Sequence, residues 1–298
     1  MNLPETVLLT GSSGFTGQYV RSALQTAGYR IMGLASELPQ IDELRADLED
    51  IDSLRAVIAA TRPDYVIHLA GAAFVASEDA MKFYRVNLLG ALNLLQALRD
   101  EGVAPKKVVL SSSAAVYGRN PVSPVDENAC PAPINHYAMS KLAMEHFAKI
   151  WMDDFPIVIT RPFNYTGAGQ GSQYLIPKLV EHFGKRRATL KLGNVDIVRE
   201  FNDVRMVAEV YVRLMADAPP GTIVNICTGK GYRLEDILAL LQRMTNYMPE
   251  LERDPRLMRG SEIKELVGNN RLLDSIVPDK PRFSIEDTLR FMLEASRE

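Results

Sequence analysis

Gly11, Gly14 and Gly17 recur at three-residue intervals in TGSSGFTG, residues 10–17. They lie between a short apolar run and a helix-like stretch. Residues 7–10 read as a buried strand, and residues 16–27 as a helix stopped by Gly28. Such a junction asks the chain to turn tightly, open its backbone to an approaching group, and pack the helix close on the strand. Glycine permits each step. The partial positive charge of the helix start favours a phosphate. The spacing predicts a dinucleotide-binding turn, the alternative being a glycine-rich turn without a ligand.

The pattern that follows is a regular alternation. Strands are predicted at 31–34, 65–70, 107–111 and 157–160. Helices are predicted at 51–61, 81–101 and 137–153. The long helix 81–101 carries apolar residues at Val86, Leu89, Leu92, Leu95 and Leu98 and is closed by Gly102. This alternation predicts an α/β fold with a doubly wound parallel sheet, whose ligands bind beyond the carboxyl ends of the strands. After Phe163 the pattern loosens. Residues 1–165 are read as the dinucleotide-binding domain, with 205–229 returning to it. Residues 166–204 and 230–298 are read as a smaller C-terminal substrate-binding lobe.

Composition narrows the function classes. With 298 residues the chain is long for one core and short for two independent domains. Its net charge of −3 gives no footprint for nucleic acid or a membrane surface. No apolar run reaches the roughly 18–20 residues that span a bilayer. The N-terminus lacks a basic region and a small-residue cleavage site. The two cysteines, Cys130 and Cys227, make no disulfide framework, so a reduced, cytoplasmic protein is expected.

The second strand should end in an acid if the cofactor ribose carries a free 2′-hydroxyl. Here it ends in Gly33, Leu34, Ala35 and Ser36, with Glu37 following late. That favours NADP(H), with NAD(H) as the alternative, although no arginine stands there either. Asp47 and Leu48 are candidates for the adenine edge; Asp47 could equally be a surface residue or a helix cap.

Two segments supply chemistry: SSSAAVYG, residues 111–118, and HYAMSK, residues 136–141. Tyr137 and Lys141 fall on one helix face. A phenol of pKa ~10 is a poor acid or base at neutral pH. An ammonium ~4 Å away, at an effective dielectric of ~20, contributes about 4 kcal/mol toward the phenolate, which predicts a lowered Tyr137 pKa. Ser113, from the neighbouring strand end, is the candidate to hydrogen-bond the same substrate oxygen. A second Tyr-x-x-x-Lys, Tyr174 to Lys178, contains Pro177, which lacks the amide hydrogen a helix interior needs.

With these motifs the chain resembles the extended short-chain dehydrogenase/reductase family that acts on nucleotide sugars, over nearly its full length. The resemblance rests on TGSSGFTG, HLAG (68–71), VNLLGALNLLQA (86–97), SSSAAVYG and YAMSK. It implies a Rossmann sheet. It also implies catalytic Ser113, Tyr137 and Lys141, and cofactor contacts from Gly11, Gly14, Phe15, Gly17, Ser36, Asp47, Leu48, Leu69, Ala70, Gly71, Asn87, Tyr137 and Lys141. RPFNYTGAGQ (161–170), LGNVDIVREFNDV (192–204) and RGSEIKELVGNNRLLDS (259–275) resemble the branch of GDP-mannose 4,6-dehydratases and GDP-4-keto-6-deoxy-mannose reductases. That branch implies substrate contacts from Asn164, Arg199, Arg259 and Glu262. A bidentate guanidinium suits a diphosphate and a carboxylate suits a diol. For Arg199 the alternative is a surface pair with Glu200 or Asp203.

One departure bears on the reaction. Dehydratases of this branch place a carboxylate two residues before the tyrosine of the VYG motif. This chain has Ala115 there and Ala114 beside it, and neither accepts a proton. The expectation is therefore NAD(P)H-dependent reduction of a GDP-linked 4-keto-6-deoxyhexose to GDP-rhamnose or GDP-6-deoxy-talose, with no metal. A nucleotide-sugar 4-epimerase with tightly bound NAD is the alternative. A homodimer is expected from the family, through helices 81–101 and 137–153, whose apolar faces could equally be domain core.

Overall fold

The consecutive apolar residues VVL at 108–110 and IVI at 157–159 leave neither side of their strands for water, so these must be covered on both faces. The computed structural model, which describes residues 3–36, 43–73, 79–119, 122–255 and 263–296, shows how. Strands β1 (Thr6–Thr10), β2 (Arg30–Ala35), β3 (Glu43–Arg45), β4 (Tyr65–His68), β5 (Lys107–Ser111) and β6 (Ile157–Pro162) join the edge strand Ile223–Ile226 in one seven-stranded sheet. Its order is Ile223–Ile226, β6, β5, β4, β1, β2, β3, and every pairing is parallel. This is the doubly wound α/β sheet expected. The order reverses between β1 and β4, and the crevice beyond their carboxyl ends is the place such sheets offer a ligand.

One face buries Leu54, Leu94, Leu95 and Met144 from helices Ile51–Thr61, Gly90–Asp100 and His136–Ile150. The other buries Val20, Leu24, Val207 and Tyr211 from helices Phe15–Thr26 and Val204–Asp217, together with Leu273 of Arg271–Ile276. A smaller core, built on Phe183, Leu241 and Leu289, holds helices Leu175–Gly184, Leu234–Thr245 and Ile285–Ala295 together.

Three local features differ from the sequence pattern. The helix expected at 81–101 is α-helical at Ala80–Phe83 and Gly90–Asp100 but opens into a π-helical stretch at Tyr84–Leu89. The wider turn rotates the apolar stripe, so Leu89 is exposed while Ala91, Leu94, Leu95 and Leu98 are buried. The three-residue β3 was not foreseen, being too short to show a period. Pro177 lies in the first turn of helix Leu175–Gly184, where no intrahelical partner awaits its missing amide hydrogen. The helix therefore tolerates it, contrary to the objection raised from sequence.

Candidate active site

The glycine-rich turn is closed by contacts that leave no room for a side chain. Gly11 has φ +70°, and a Cβ there would lie 2.8 Å from the Ala70 nitrogen. A Cβ on Gly17 would overlap the Gly11 carbonyl oxygen. Ala70 N–H donates to Thr10 Oγ1 at 3.1 Å, tying the end of β4 to the turn. Phe15, the first residue of helix Phe15–Thr26, stacks on Tyr165 with centroids 6.3 Å apart, while Thr16 and Tyr165 share a 2.7 Å hydroxyl hydrogen bond. Backbone amides at a helix start, without intruding side chains, fit a dinucleotide pyrophosphate.

Leu69, Ala70 and Gly71 run from β4 along the same crevice. Beside them the π-helical stretch presents buried Asn87, whose Oδ1 accepts from Ala72 N at 2.8 Å and whose Nδ2 donates to Ala72 O and Ser140 Oγ, both at 3.0 Å. A Cβ on Gly71 would meet Asn87 Oδ1 at 2.9 Å and Lys141 Nζ at 3.2 Å, so these three positions converge. Ser36 is exposed at the end of β2. Asp47 is exposed too, and it does not cap the following helix. Its Oδ1 accepts from Glu49 N at 2.9 Å, and Asp50 is the N-cap of Ile51–Thr61. Leu48 is buried under Gly90.

Asn135 caps helix His136–Ile150 by accepting from Ala138 N at 2.8 Å, which fixes Tyr137 in its first turn and Lys141 one turn on. Lys141 Nζ donates to Ser111 O at 2.7 Å. Burial lowers its pKa to about 8, against the opposing pull of Glu145. Ser113 caps the short helical turn Ala114–Tyr117, accepting from Ala115 N at 3.1 Å, and its hydroxyl neighbours the Tyr137 phenol. The Tyr137 pKa is raised, not lowered as expected. Burial pushes it up to about 12, the neighbouring Ser113 hydroxyl opposing. Lys141 is no major influence on the phenol in the protein alone; one of its three ammonium donors goes to the Ser111 carbonyl. A neutral phenol can give a proton at neutral pH, and a serine hydroxyl beside it can bind the oxygen that receives it.

Other buried groups brace this set. His68 shares a 2.8 Å hydrogen bond between Nδ1 and Thr10 Oγ1, and its Nε2 is buried with no partner among the described residues. Burial, reinforced by the Lys141 charge, lowers its pKa to about 3, so it stays neutral. Ser112 donates to Glu145 Oε1 at 2.5 Å, and Glu145 pairs with Arg161 of β6. No sequence period links residues 112, 145 and 161; a glutamate one turn beyond Lys141 on the same helix face was the available signal.

Of the candidate substrate residues, Asn164 is exposed beyond β6, and its carbonyl accepts from Asn202 N at 2.9 Å. Arg199 pairs with neither Glu200 nor Asp203. It donates to the carbonyls of Ile263 (2.5 Å), Val198 (2.8 Å) and Lys264 (3.3 Å). Glu200 instead accepts from Gly268 N at 2.6 Å and Thr228 N at 2.8 Å, and Asp203 pairs with Arg205. Arg259 and Glu262 lie outside the described residues.

Comparison with known proteins gives concordant matches. The model of the NAD dependent epimerase/dehydratase family matches residues 7–227. GDP-6-deoxy-D-talose 4-dehydrogenase of Aggregatibacter actinomycetemcomitans is 33% identical over 289 residues, 97% of this chain and 95% of its own length. GDP-6-deoxy-D-mannose reductase of Pseudomonas aeruginosa is 32% identical over 302 residues, 98% of this chain and 97% of its own. The structure of RMD from Pseudomonas aeruginosa complexed with NADPH superposes with a TM-score of 0.88 at 31% identity, covering 99% of this chain and 100% of that one.

Proposed function

Since the chain belongs to the NAD dependent epimerase/dehydratase family, we propose that it reduces the 4-keto group of a GDP-linked 4-keto-6-deoxyhexose. The product is GDP-rhamnose or its 4-epimer, GDP-6-deoxy-talose, and NADPH is the preferred cofactor. The observation that carries this reading is the Tyr137 phenol, kept neutral by burial with the Ser113 hydroxyl beside it. A ketone reductase needs a proton donor at the substrate oxygen. A C5-deprotonating dehydratase needs a base, and Ala114 and Ala115 occupy the place of that base.

NADPH, held by the turn at Gly11, Gly14, Phe15 and Gly17 and along Leu69–Gly71, supplies the hydride for carbon 4. Tyr137 gives its proton to the carbonyl oxygen as that oxygen gains charge, and Ser113 donates a hydrogen bond to the same atom. Lys141, one turn along the helix, holds the nicotinamide ribose and offers its positive charge to the tyrosinate left behind. Asn87 keeps the 71–72 backbone in place beside Lys141. Asn164, Arg199, Arg259 and Glu262 are assigned to the sugar, the diphosphate and the guanosine ribose. The protein acts as a homodimer through helix His136–Ile150 and the adjoining stretch 80–100. These leave Met81, Leu89, Met139, Phe147 and Ile150 exposed.

The test is NADPH oxidation by the purified protein with freshly made GDP-4-keto-6-deoxy-mannose, followed at the nicotinamide absorbance, with NMR of the product. Consumption is expected, and the configuration at carbon 4 then separates the two products. No consumption, with NAD copurifying and UDP- or GDP-hexoses epimerised, would replace this reading with a 4-epimerase.

A further inference from the structure

The end of β2 offers neither the acid that accepts a ribose 2′-hydroxyl nor a cation that meets a 2′-phosphate; its last residue is Ala35. A cation stands on the neighbouring strand. β3 pairs with β2 in the register Gly33–Glu43, Leu34–Leu44, Ala35–Arg45. Side chains two apart on a strand share a face, so Arg45 stands beside Ala35 on the face that Glu43 occupies beside Gly33. That face looks onto the glycine-rich turn. Ser12, inside the turn, donates to Glu43 Oε1 at 2.5 Å, and Arg21 of the following helix pairs with the same oxygen at 3.4 Å. A Cβ on Gly33 would lie 2.7 Å from Ser12 Oγ and 2.9 Å from Glu43 Cγ.

The two arginines on this side are used differently. Arg21 is committed to the buried Glu43 carboxylate and offsets its charge. Arg45 is exposed and has no hydrogen bond or ion pair among the described residues. Adenosine bound at a turn of this kind sets its ribose against the end of β2, so the 2′ substituent arrives beside Ala35. We infer that Arg45, reaching across from β3, is the residue that selects a 2′-phosphorylated dinucleotide over its 2′-hydroxyl counterpart. Its planar fork of donors matches a phosphate, and alanine at position 35 leaves the space for one. The inference rests on the dinucleotide reading of the turn and is independent of which sugar is reduced.

The test is binding, with turnover not required. NADPH and NADH are titrated by nicotinamide fluorescence into the wild type, Arg45→Ala and Arg45→Lys, with 2′,5′-ADP and 5′-AMP as competitors. The wild type is expected to prefer NADPH. Arg45→Ala should weaken NADPH by roughly 10–100-fold, the loss of one charge-assisted contact, and leave NADH within about twofold. Arg45→Lys should fall between, having the charge without the fork. 2′,5′-ADP should lose its advantage over 5′-AMP in Arg45→Ala alone. If the wild type binds NADPH tightly and Arg45→Ala binds it equally well, or if the wild type prefers NADH, the inference is overturned while the dinucleotide reading stands. Failure of the wild type to bind either dinucleotide overturns both.

Discussion

Glu145 and Arg161 meet in a two-pronged ion pair, Nε to Oε1 at 2.9 Å and Nη2 to Oε2 at 2.6 Å, with both side chains almost wholly withdrawn from solvent. Glu145 lies one turn beyond Lys141 on helix His136–Ile150; Arg161 lies on β6. The remaining donors of Arg161 reach Tyr117 Oη at 3.1 Å and Glu127 O at 3.2 Å, and Tyr117 donates in turn to Asn225 Oδ1 at 2.6 Å. Ser112 adds its hydroxyl to Glu145, so the strand end that carries Ser113 is bound to the helix that carries Tyr137.

Breaking such a pair from one side strands a buried charge, which costs about 3–5 kcal/mol. Glu145→Gln is therefore expected to lower unfolding stability in urea by that order, with Arg161 left uncompensated. A loss under about 1 kcal/mol would show that the pair does not fasten the helix to the sheet.

Tyr137→Phe keeps the ring against Phe83, whose centroid lies 6.0 Å away, and removes the proton donor. The variant should fold and bind NADPH within about twofold of the wild type, while kcat for ketone reduction falls by roughly 10²–10⁴. Retention of full turnover would move the proton-donor role to another group.

The pH dependence follows from Lys141 and Tyr137 together. Burial lowers the Lys141 pKa to about 8, so its ammonium is present below that pH and is lost as pH rises through it. Tyr137, raised to about 12, stays protonated throughout this window. Reduction rates should therefore decline on the alkaline side of about 8 and show no limb from His68, which is neutral down to about 3. Lys141→Arg keeps its charge at every accessible pH and should flatten the alkaline decline, whatever its absolute rate. A wild-type profile flat to pH 10 would show that no group titrating near 8, Lys141 included, controls the rate.

The parts of the site that were legible in the sequence are those written in local spacing. The interval from Gly11 to Gly17 states a turn and a helix start, and Tyr137 to Lys141 states one helix face. What was not legible depends on pairing or on a changed period. Arg45 shares an edge with Ala35 only because three residues of β3 add to the sheet, and no pattern announces a strand that short. Asn87 was named from the resemblance, but the π-helical stretch from which it reaches the 71–72 backbone, and which leaves Leu89 exposed, is passed over by an apolar stripe read at 3.6 residues per turn. The direction of the Tyr137 shift was missed because charge was weighed and burial was not.

Helix His136–Ile150 poses the last question, since it faces the site on one side and water on the other. Its outer side leaves Met139, Phe147 and Ile150 exposed, Ile150 at 71%, and the adjoining stretch leaves Met81 and Leu89 exposed. Isolated surface apolars are ordinary, but several large ones on two helices packed side by side mark a contact surface. A second copy related by a two-fold axis would set the same pair of helices against itself, a self-complementary arrangement that buries all of them at once. Light scattering should therefore give twice the chain mass at micromolar concentration. Phe147→Asp combined with Ile150→Asp should give a monomer that still binds NADPH, because neither side chain lies on the buried Ala138, Lys141 and Glu145 side of the helix. A wild-type monomer at these concentrations would show that the exposed stripe is not a subunit interface.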